Sequence, residues 1–416
     1  MPAVSVVIPV WNLWDMTRDC LESLARHTTP GAIELVVVDN GSSDATRTEL
    51  EPLGRALFGE HFQLVRLDKN MGFAIGCNSG ARAAKGDLVF FLNNDTLLTQ
   101  NWLPPLIQGL RASPSLGMVG PLLLFPDSVR VQHCAVAFAP TLEVQHLYFH
   151  FPGDHPAPNA PRQAQAISGA ALLLDKDLFF RCGGFHEGYK NGFEDLDLCC
   201  SLRKMGLRLA CVPQSAVYHL TSQTPGRNDH DSANARLINK RHPGGFVPDL
   251  HRLAMADGFM PALSPSLELY LRLPDERETA LTEAFTRHFD AERCTRRLWA
   301  EPLWMRGYEL LAGHLETQGE WVQATEWRLQ QARQFPLPQV SKALALSAAR
   351  AGMEQVAQAA VQQTQDQLAK SADGATLTKQ AKALLRWGQN AGDEVIVELY
   401  GAWLAAHPFQ GCASIA

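Results

Sequence analysis

The strongest constraint on what this chain can fold into is an alternation of two hydrophobic periods over the first hundred residues. Val4–Val10 is a β-branched run, and Asp15–His27 follows with Met16, Cys20, Leu21 and Leu24 on one helical face. Ile33–Asp39 is again apolar and β-branched, Phe62–Leu67 alternates, Phe73–Ala84 is rich in small helix formers, and Asp87–Leu92 is a further apolar run. Near-continuous apolar strands separated by helices argue for a parallel sheet covered on both faces. Ligands of such sheets bind beyond the carboxyl ends of the strands. Polar residues gather at those ends: Asn12, then Asp39-Asn40-Gly41, then Asn70-Met71-Gly72, then Asn93-Asn94-Asp95.

Mixed signals continue to about residue 245. Trp102–Arg111, Lys176–Arg181 and Asp195–Met205 read as helices; Met118–Phe125, Val129–Phe138, Ala170–Leu174 and Leu207–Val212 read as strands. Residues 151–162 are Pro-rich and polar, the composition of a loop. Residues 246–297 read as a linker with some helix, and 298–416 as a helical domain rich in Ala, Leu and Gln. Gly319 and Gly352 lie 33 residues apart, as do Ala324 and Ala357, near the spacing of a tetratricopeptide repeat. Repeat-like hairpins and an irregular bundle both fit. The expected layout is an α/β domain over 1–245, then the linker, then an all-α domain.

Composition narrows the partners. The 416 residues are 46% hydrophobic and 19% charged, enough for more than one domain with a sizeable core. A net charge of −6 offers no broad basic face for a nucleic-acid backbone, so none is expected as a partner. The apolar runs Leu88–Leu92 and Ala170–Leu174 stop at Asn or Asp, far short of the roughly 20 residues that a membrane span needs. The first residues lack a basic stretch and read as a strand, so no signal peptide is expected. Nine scattered cysteines with no CxxC pair favour a reducing cytoplasm over a disulfide framework.

Several strand-end residues suit particular chemistry, each beside a plainer reading. Asp39 ends a buried strand, where a carboxylate is expensive unless it binds something; it also fits a simple turn before a helix capped by Asp44. Asp95, projecting into a crevice, suits Mg²⁺ or Mn²⁺, which take oxygen ligands and keep positions open for phosphate. It also fits a strand-to-helix turn. Glu194, Asp195 and Asp197 open a helix, which the helix dipole favours without any chemistry, yet a carboxylate held there can serve as general base. His219 ends the polar stretch Tyr218-His219-Leu220-Thr221-Ser222, and a lone His is more often structural than a ligand.

Together these segments resemble the family 2 glycosyltransferases of the GT-A fold, closest to bacterial rhamnosyltransferase-like members. The resemblance covers roughly residues 3–240. It rests on Val6-Val-Ile-Pro-Val-Trp-Asn12, Val36-Val-Val-Asp-Asn-Gly-Ser-Ser-Asp44, Asn70-Met-Gly-Phe73 through Gly80, Phe91-Leu-Asn-Asn-Asp95, Ser168-Gly-Ala, Gly183-Gly-Phe and Phe193-Glu-Asp-Leu-Asp-Leu198, in that order. It implies a Rossmann-like mixed sheet flanked by helices. It implies that Pro9, Val10, Asn12, Asp39 and Asn40 line a nucleotide pocket, with Asp39 on the base, and that Asn70, Gly72 and Phe73 face the nucleotide-sugar. Asn93-Asn94-Asp95 takes the place of the Asp-x-Asp metal motif, with Asp95 and His219 on the Mn²⁺ or Mg²⁺ ion. Asp195 would be the base, with Glu194 beside it. The donor would be UDP-, dTDP- or GDP-linked, and a hexosyl or deoxyhexosyl group would pass to a glycan or to a protein such as flagellin. The helical domain would hold a protein partner, and peripheral membrane association at the inner face fits such a role. Trp11 stands where Tyr is common, Asn93 where the first Asp is, and His186 where an Asp often follows Gly-Gly-Phe.

A dinucleotide-dependent oxidoreductase is disfavoured, because the first strand leads into Pro9-Val-Trp-Asn-Leu13 with no Gly-x-Gly-x-x-Gly. A degenerate transferase fold serving as a scaffold through its helical domain stays open at this point.

Overall fold

The computed structural model describes residues 3–220 and 230–408; Thr221 and Ser222 of the His219 stretch lie outside them. The chain divides into two units: Met1–Ala137 with Val144–Val247, and Phe138–Glu143 with Pro248–Ala416.

In the first unit the expected alternation is present. The elements are β1 (Val4–Val10), α1 (Trp14–Arg26), β2 (Ile33–Asp39), α2 (Thr46–Phe58), β3 (Phe62–Arg66), α3 (Phe73–Ala83) and β4 (Leu88–Leu92). Strand β1 pairs in parallel with both β2 and β4, and β3 pairs in parallel with β2. Helix α1 turns Cys20, Leu21 and Leu24 inward onto this sheet. Helix α3 lies so close to β1 that a Cβ on Gly80 would collide with Val7, which is why a side chain is missing there.

Beyond β4 the sheet becomes mixed. There follow β5 (Thr96–Leu98), α4 (Leu103–Arg111), β6 (Leu116–Leu124), β7 (Val131–His133), β8 (Val136–Phe138), β9 (Val144–His146), α5 (Pro156–Asn159), β10 (Arg162–Ala164), β11 (Ala171–Asp175), α6 (Lys176–Arg181), α7 (Glu194–Lys204), β12 (Arg208–His219) and α8 (Asp231–Arg241). The sheet order is β10-β12-β6-β11-β4-β1-β2-β3, with β5 paired to β12 and β7 to β6. Strand β11 runs antiparallel to β4 and β6. This is the mixed sheet flanked by helices that the GT-A resemblance implied.

Two strand expectations are corrected. Val129–Phe138 is not one strand: Val129 sits at φ 51°, and the run breaks into β7 and β8. The strand expected to end at Val212 continues to His219, because a register shift between Val212 and Ala216 absorbs Pro213 as a bulge. That extension pairs His219 with Thr96, next to Asp95.

Helix α7 is fixed by a buried ionic cluster. The Asp197 carboxylate accepts from the Tyr189 hydroxyl at 3.0 Å, Arg241 at 2.6 Å and His242 at 2.9 Å. Burial alone pushes this carboxyl up, but the bonds from Arg241 and Tyr189 outweigh it and hold it below its usual range. Burial also lowers His242, against the pull of Asp197.

The second unit comprises α9 (Leu250–Ala256), β13 (Met260–Leu263), β14 (Leu269–Arg272), α10 (Asp275–Arg287), α11 (Ala291–Ala300), α12 (Met305–Thr317), α13 (Trp321–Gln334), α14 (Pro338–Arg350), α15 (Glu354–Ala372), α16 (Gly374–Ala391) and α17 (Glu394–Ala406). Residues 248–297, read from sequence as a linker, are built into this unit. Fully buried His251 lies 2.9 Å from Asp393, which Arg252 also contacts at 2.7 Å and which caps α17 through the Ile396 N–H. Gly319 and Gly352 both sit in left-handed turns, φ 80° and 73°, at the joints of the α12–α13 and α14–α15 pairs.

Both shifts in the Asp197 cluster have the same sign. As pH falls below about 6.5 the unfolded chain takes up a proton on His242 before the folded chain does, and near pH 4 the unfolded chain does so on Asp197. Stability is therefore full above neutrality and declines on acidification. The thermal midpoint is expected to fall between pH 7.5 and 5.5, and to fall less in His242→Gln; an equal slope in that variant would remove His242 as a source.

Candidate active site

The sequence-predicted residues converge on an open cleft in the first unit, at the carboxyl ends of its central strands. Pro9, Val10, Asn40, Asn70, Phe73, Asn93, Asn94, Asp95, Glu194, Asp195 and His219 all line it. Asn12, Asp39 and Gly72 do not; they hold the loops that do.

One wall is an asparagine-rich brace. The Asn12 side-chain Oδ1 accepts from the Ser43 N–H at 2.8 Å while the Asn12 backbone N–H donates to Ser42 Oγ at 2.9 Å, joining the loops after β1 and β2. Asn40 Nδ2 donates to Asn70 Oδ1 at 3.2 Å and to the Gly72 carbonyl at 3.1 Å, and its Oδ1 accepts from the Met71 N–H at 2.9 Å. The three strand ends are thus cross-linked by amides, whose paired donor and acceptor suit irregular backbone. Asp39 is buried: one carboxylate oxygen accepts from the Ser42 N–H at 2.9 Å, and the other meets Arg66 at 2.8 Å. Below Phe73 lies an aromatic floor, with Phe185 5.5 Å from Phe73 and 5.0 Å from Phe91, centroid to centroid.

The second wall brings Asp95 and His219 together. Asp95 Oδ1 is 3.2 Å from His219 Nε2, and both residues are buried. Gln132, which sequence reading missed, sets the ring. Its Nε2 donates to the His219 carbonyl at 2.9 Å, so its Oε1 is the atom 2.5 Å from His219 Nδ1. An amide oxygen only accepts, so Nδ1 carries a proton, and Nε2 is the ring atom that faces the carboxylate. At that distance the pair can share either a proton or a small cation. Ligands about 2.1 Å from one ion at right angles lie about 3 Å apart, so the pair fits a small divalent ion. Among the described residues no group of three or more His, Cys, Asp or Glu gathers as a metal site, so such an ion would draw on phosphate oxygens and water as well.

The third wall is the start of α7. Asn191, at φ 50°, and Phe193, at φ 73°, hold strained backbone just before Glu194. Buried Glu194 accepts from the Gly192 N–H at 2.7 Å. Half-buried Asp195 accepts from the Gly169 N–H at 2.8 Å and the Leu196 N–H at 2.8 Å. Gly169 touches it closely, since an added Cβ would lie 3.1 Å from the Asp195 Cβ. Asp197, the third carboxylate of this motif, points into its own ionic cluster.

Trp11, Leu13, Ser168, Gly169, Ala170, Asn191, Gly192 and Phe193 complete the lining and were not picked out as site residues from sequence. Trp11 and Leu13 had one available signal, apolar bulk directly after a strand end; they are 40% and 39% exposed. The lining therefore carries three carboxylates, and among the described residues no Lys or Arg.

The chain is 28% identical over 243 residues to the uncharacterized protein y4gI of Sinorhizobium fredii, a match covering 57% of this chain and 26% of that protein. It is 29% identical over 241 residues to the O-antigen biosynthesis protein RfbC of Myxococcus xanthus, covering 56% of this chain and 18% of that one. The chain thus spans about a quarter or less of the length of these relatives. A solved structure, the mannosyltransferase PcManGT of Pyrobaculum calidifontis in complex with GDP-Man and Mn²⁺, is similar over 89% of this chain and 86% of its own, at 19% identity and a TM-score of 0.43. Residues 5–149, which supply the asparagine brace and Asp95, match the family model Glycosyl transferase family 2. The first unit of this chain contains a Glycosyl transferase family 2 domain.

Proposed function

We propose that this chain is an inverting, metal-dependent glycosyltransferase that moves a hexosyl or deoxyhexosyl group from a nucleoside diphosphate to an acceptor hydroxyl. The observation that carries this reading is the charge of the cleft. A diphosphate is repelled by Asp95, Glu194 and Asp195 unless a cation intervenes, and the described lining offers no basic side chain except His219. Mn²⁺ or Mg²⁺ held by Asp95 and His219 would neutralise the departing diphosphate as a Lewis acid.

The chain's own residues account for the remaining steps. Pro9, Val10 and the Asn40–Asn70 brace form the wall for the nucleoside. For a base to reach Asp39, the Arg66 contact must open or be shared, so that the carboxylate can accept from a ring N–H of the base. Asp195 takes the acceptor proton on a carboxylate oxygen. The acceptor oxygen bonds to the anomeric carbon as the bond to the diphosphate breaks on the opposite face, which inverts the centre. The Gly169 and Leu196 N–H groups aim the carboxylate, and Glu194 stiffens the turn before it.

For the second unit we propose acceptor recognition through tetratricopeptide-like hairpins. The equivalent glycine turns at Gly319 and Gly352 support the repeat reading. A cavity within that unit, lined by Glu143, Glu268, Asp373, Gln380 and Tyr400 among others, supports a binding role. The acceptor is proposed to be a cell-surface glycan or a glycoprotein. The proposed setting is the cytoplasmic face of a bacterial membrane; no described helix is long and apolar enough to cross one.

Among UDP, dTDP and GDP with Mn²⁺, at least one is expected to raise the thermal midpoint, and EDTA should abolish donor hydrolysis; no shift with any nucleotide points instead to a degenerate scaffold. Asp195→Asn should lower turnover by about 10²–10⁴-fold with nucleotide affinity unchanged. Gly169→Ala should lower turnover by a smaller factor, by displacing the same carboxylate; loss of nucleotide binding in either variant removes Asp195 from the catalytic role. Truncation after Val247 should keep donor hydrolysis and lose transfer to the natural acceptor, and full transfer there would exclude acceptor recognition by the second unit.

A further inference from the structure

We propose that the short strand β7 positions both working halves of the cleft through two adjacent side chains, Gln132 for His219 and His133 for the loop that aims Asp195. The proposal rests on reading Asp95 and His219 as the metal side and Asp195 as the base.

Successive residues of a strand face opposite sides, so one strand can serve two neighbours. Gln132 is buried and grips His219 twice, by its carbonyl and by its ring. The two bonds need different atoms of one amide. A carboxylate at this position keeps the acceptor for the ring N–H but loses the donor to the carbonyl, and an aliphatic side chain keeps neither. The ring is thereby held with Nε2 toward Asp95 at 3.2 Å. Outer partners of this kind fix the tautomer and direction of a ligating imidazole.

His133 is equally buried and works on the other side. Its Nε2 accepts from the Ser168 N–H at 3.0 Å, so its ring proton lies on Nδ1, which is 2.9 Å from His146 Nδ1. The next amide after Ser168, that of Gly169, is the one that donates to Asp195. The ring thus anchors the peptide from which the proposed base takes its direction. Burial keeps His133 neutral, as an acceptor must be. Neither residue lines the cleft, so both are positioning residues.

The experiment is a set of full-length variants read by Mn²⁺ titration and by donor-hydrolysis kinetics, with thermal midpoints as a folding control. Gln132→Leu is expected to weaken Mn²⁺ binding about 10–100-fold, and Gln132→Glu to recover most of it. His133→Leu is expected to leave Mn²⁺ affinity within about twofold of the parent while turnover falls about tenfold, and His133→Gln, whose amide oxygen can replace Nε2 as acceptor, to recover turnover. Mn²⁺ affinity unchanged in Gln132→Leu overturns the proposal. So does a parallel fall of affinity, turnover and thermal midpoint in both leucine variants, which would make β7 structural only. Asp95→Asn separates the two levels. If it binds Mn²⁺ like the parent, the metal-side reading fails and takes the Gln132 half with it. If it loses Mn²⁺ while Gln132→Leu does not, only the present inference fails.

Discussion

The site depends first on the parallel register of β1 between β2 and β4. Val10 lies beside Asp39, and β4 reaches its end at Leu92 in the same direction, so three chain reversals open on one edge of the sheet. Helix α3 can pack close enough to keep that edge level only because Gly80 leaves room for Val7 and Val38. Once the strand ends are level, short amides suffice to bind their loops together, and Asn12, Asn40 and Asn70 do so. Within the brace Asn40 and Ser42 are buried, and a buried polar group is stable only when it is satisfied, a condition met here by side-chain amides and backbone N–H groups.

The second governing constraint is electrostatic. Three carboxylates in one cleft are costly unless each is held or neutralised. Glu194 and Asp195 are held by backbone N–H groups at the start of α7, where the helix dipole adds to the effect. Asp95 faces the Nε2 edge of an imidazole whose Nδ1 is held by Gln132. The three carboxylates are therefore unequal: two accept backbone N–H bonds at the start of α7, and the third lies 3.2 Å from His219, the pair proposed to hold the metal. Their different environments, more than their number, support separate roles for base and metal ligand.

Much of the site was legible because its members sit at strand ends, where hydrophobic runs stop abruptly at Asn, Asp or Gly. Asn40, Asn70, Asn93 and Asp95 could be placed from that pattern alone. Asp39 was placed at the base-binding position by the family resemblance, and the structure shows its carboxylate engaged by Arg66 and Ser42. Nothing in the local sequence distinguished Asp195 from Asp197, two residues apart. What separates them is Tyr189, Arg241 and His242, which enclose one and not the other.

Local periodicity and turn chemistry in the sequence determined the alternating strands and helices, the polar strand ends, and the shift to helical hairpins after the first unit. These act over a few residues and need no distant partner. Only the tertiary structure decided the rest. The bulge that carries β12 past Pro213 to set His219 against Asp95, the Gln132 amide that turns the ring, and the His251–Asp393 contact that joins residues 248–297 to the last helix all depend on groups far apart in the chain. Such pairings become favourable only when folding removes water from both partners and offers each the hydrogen bond it has lost, a condition that no window of sequence contains.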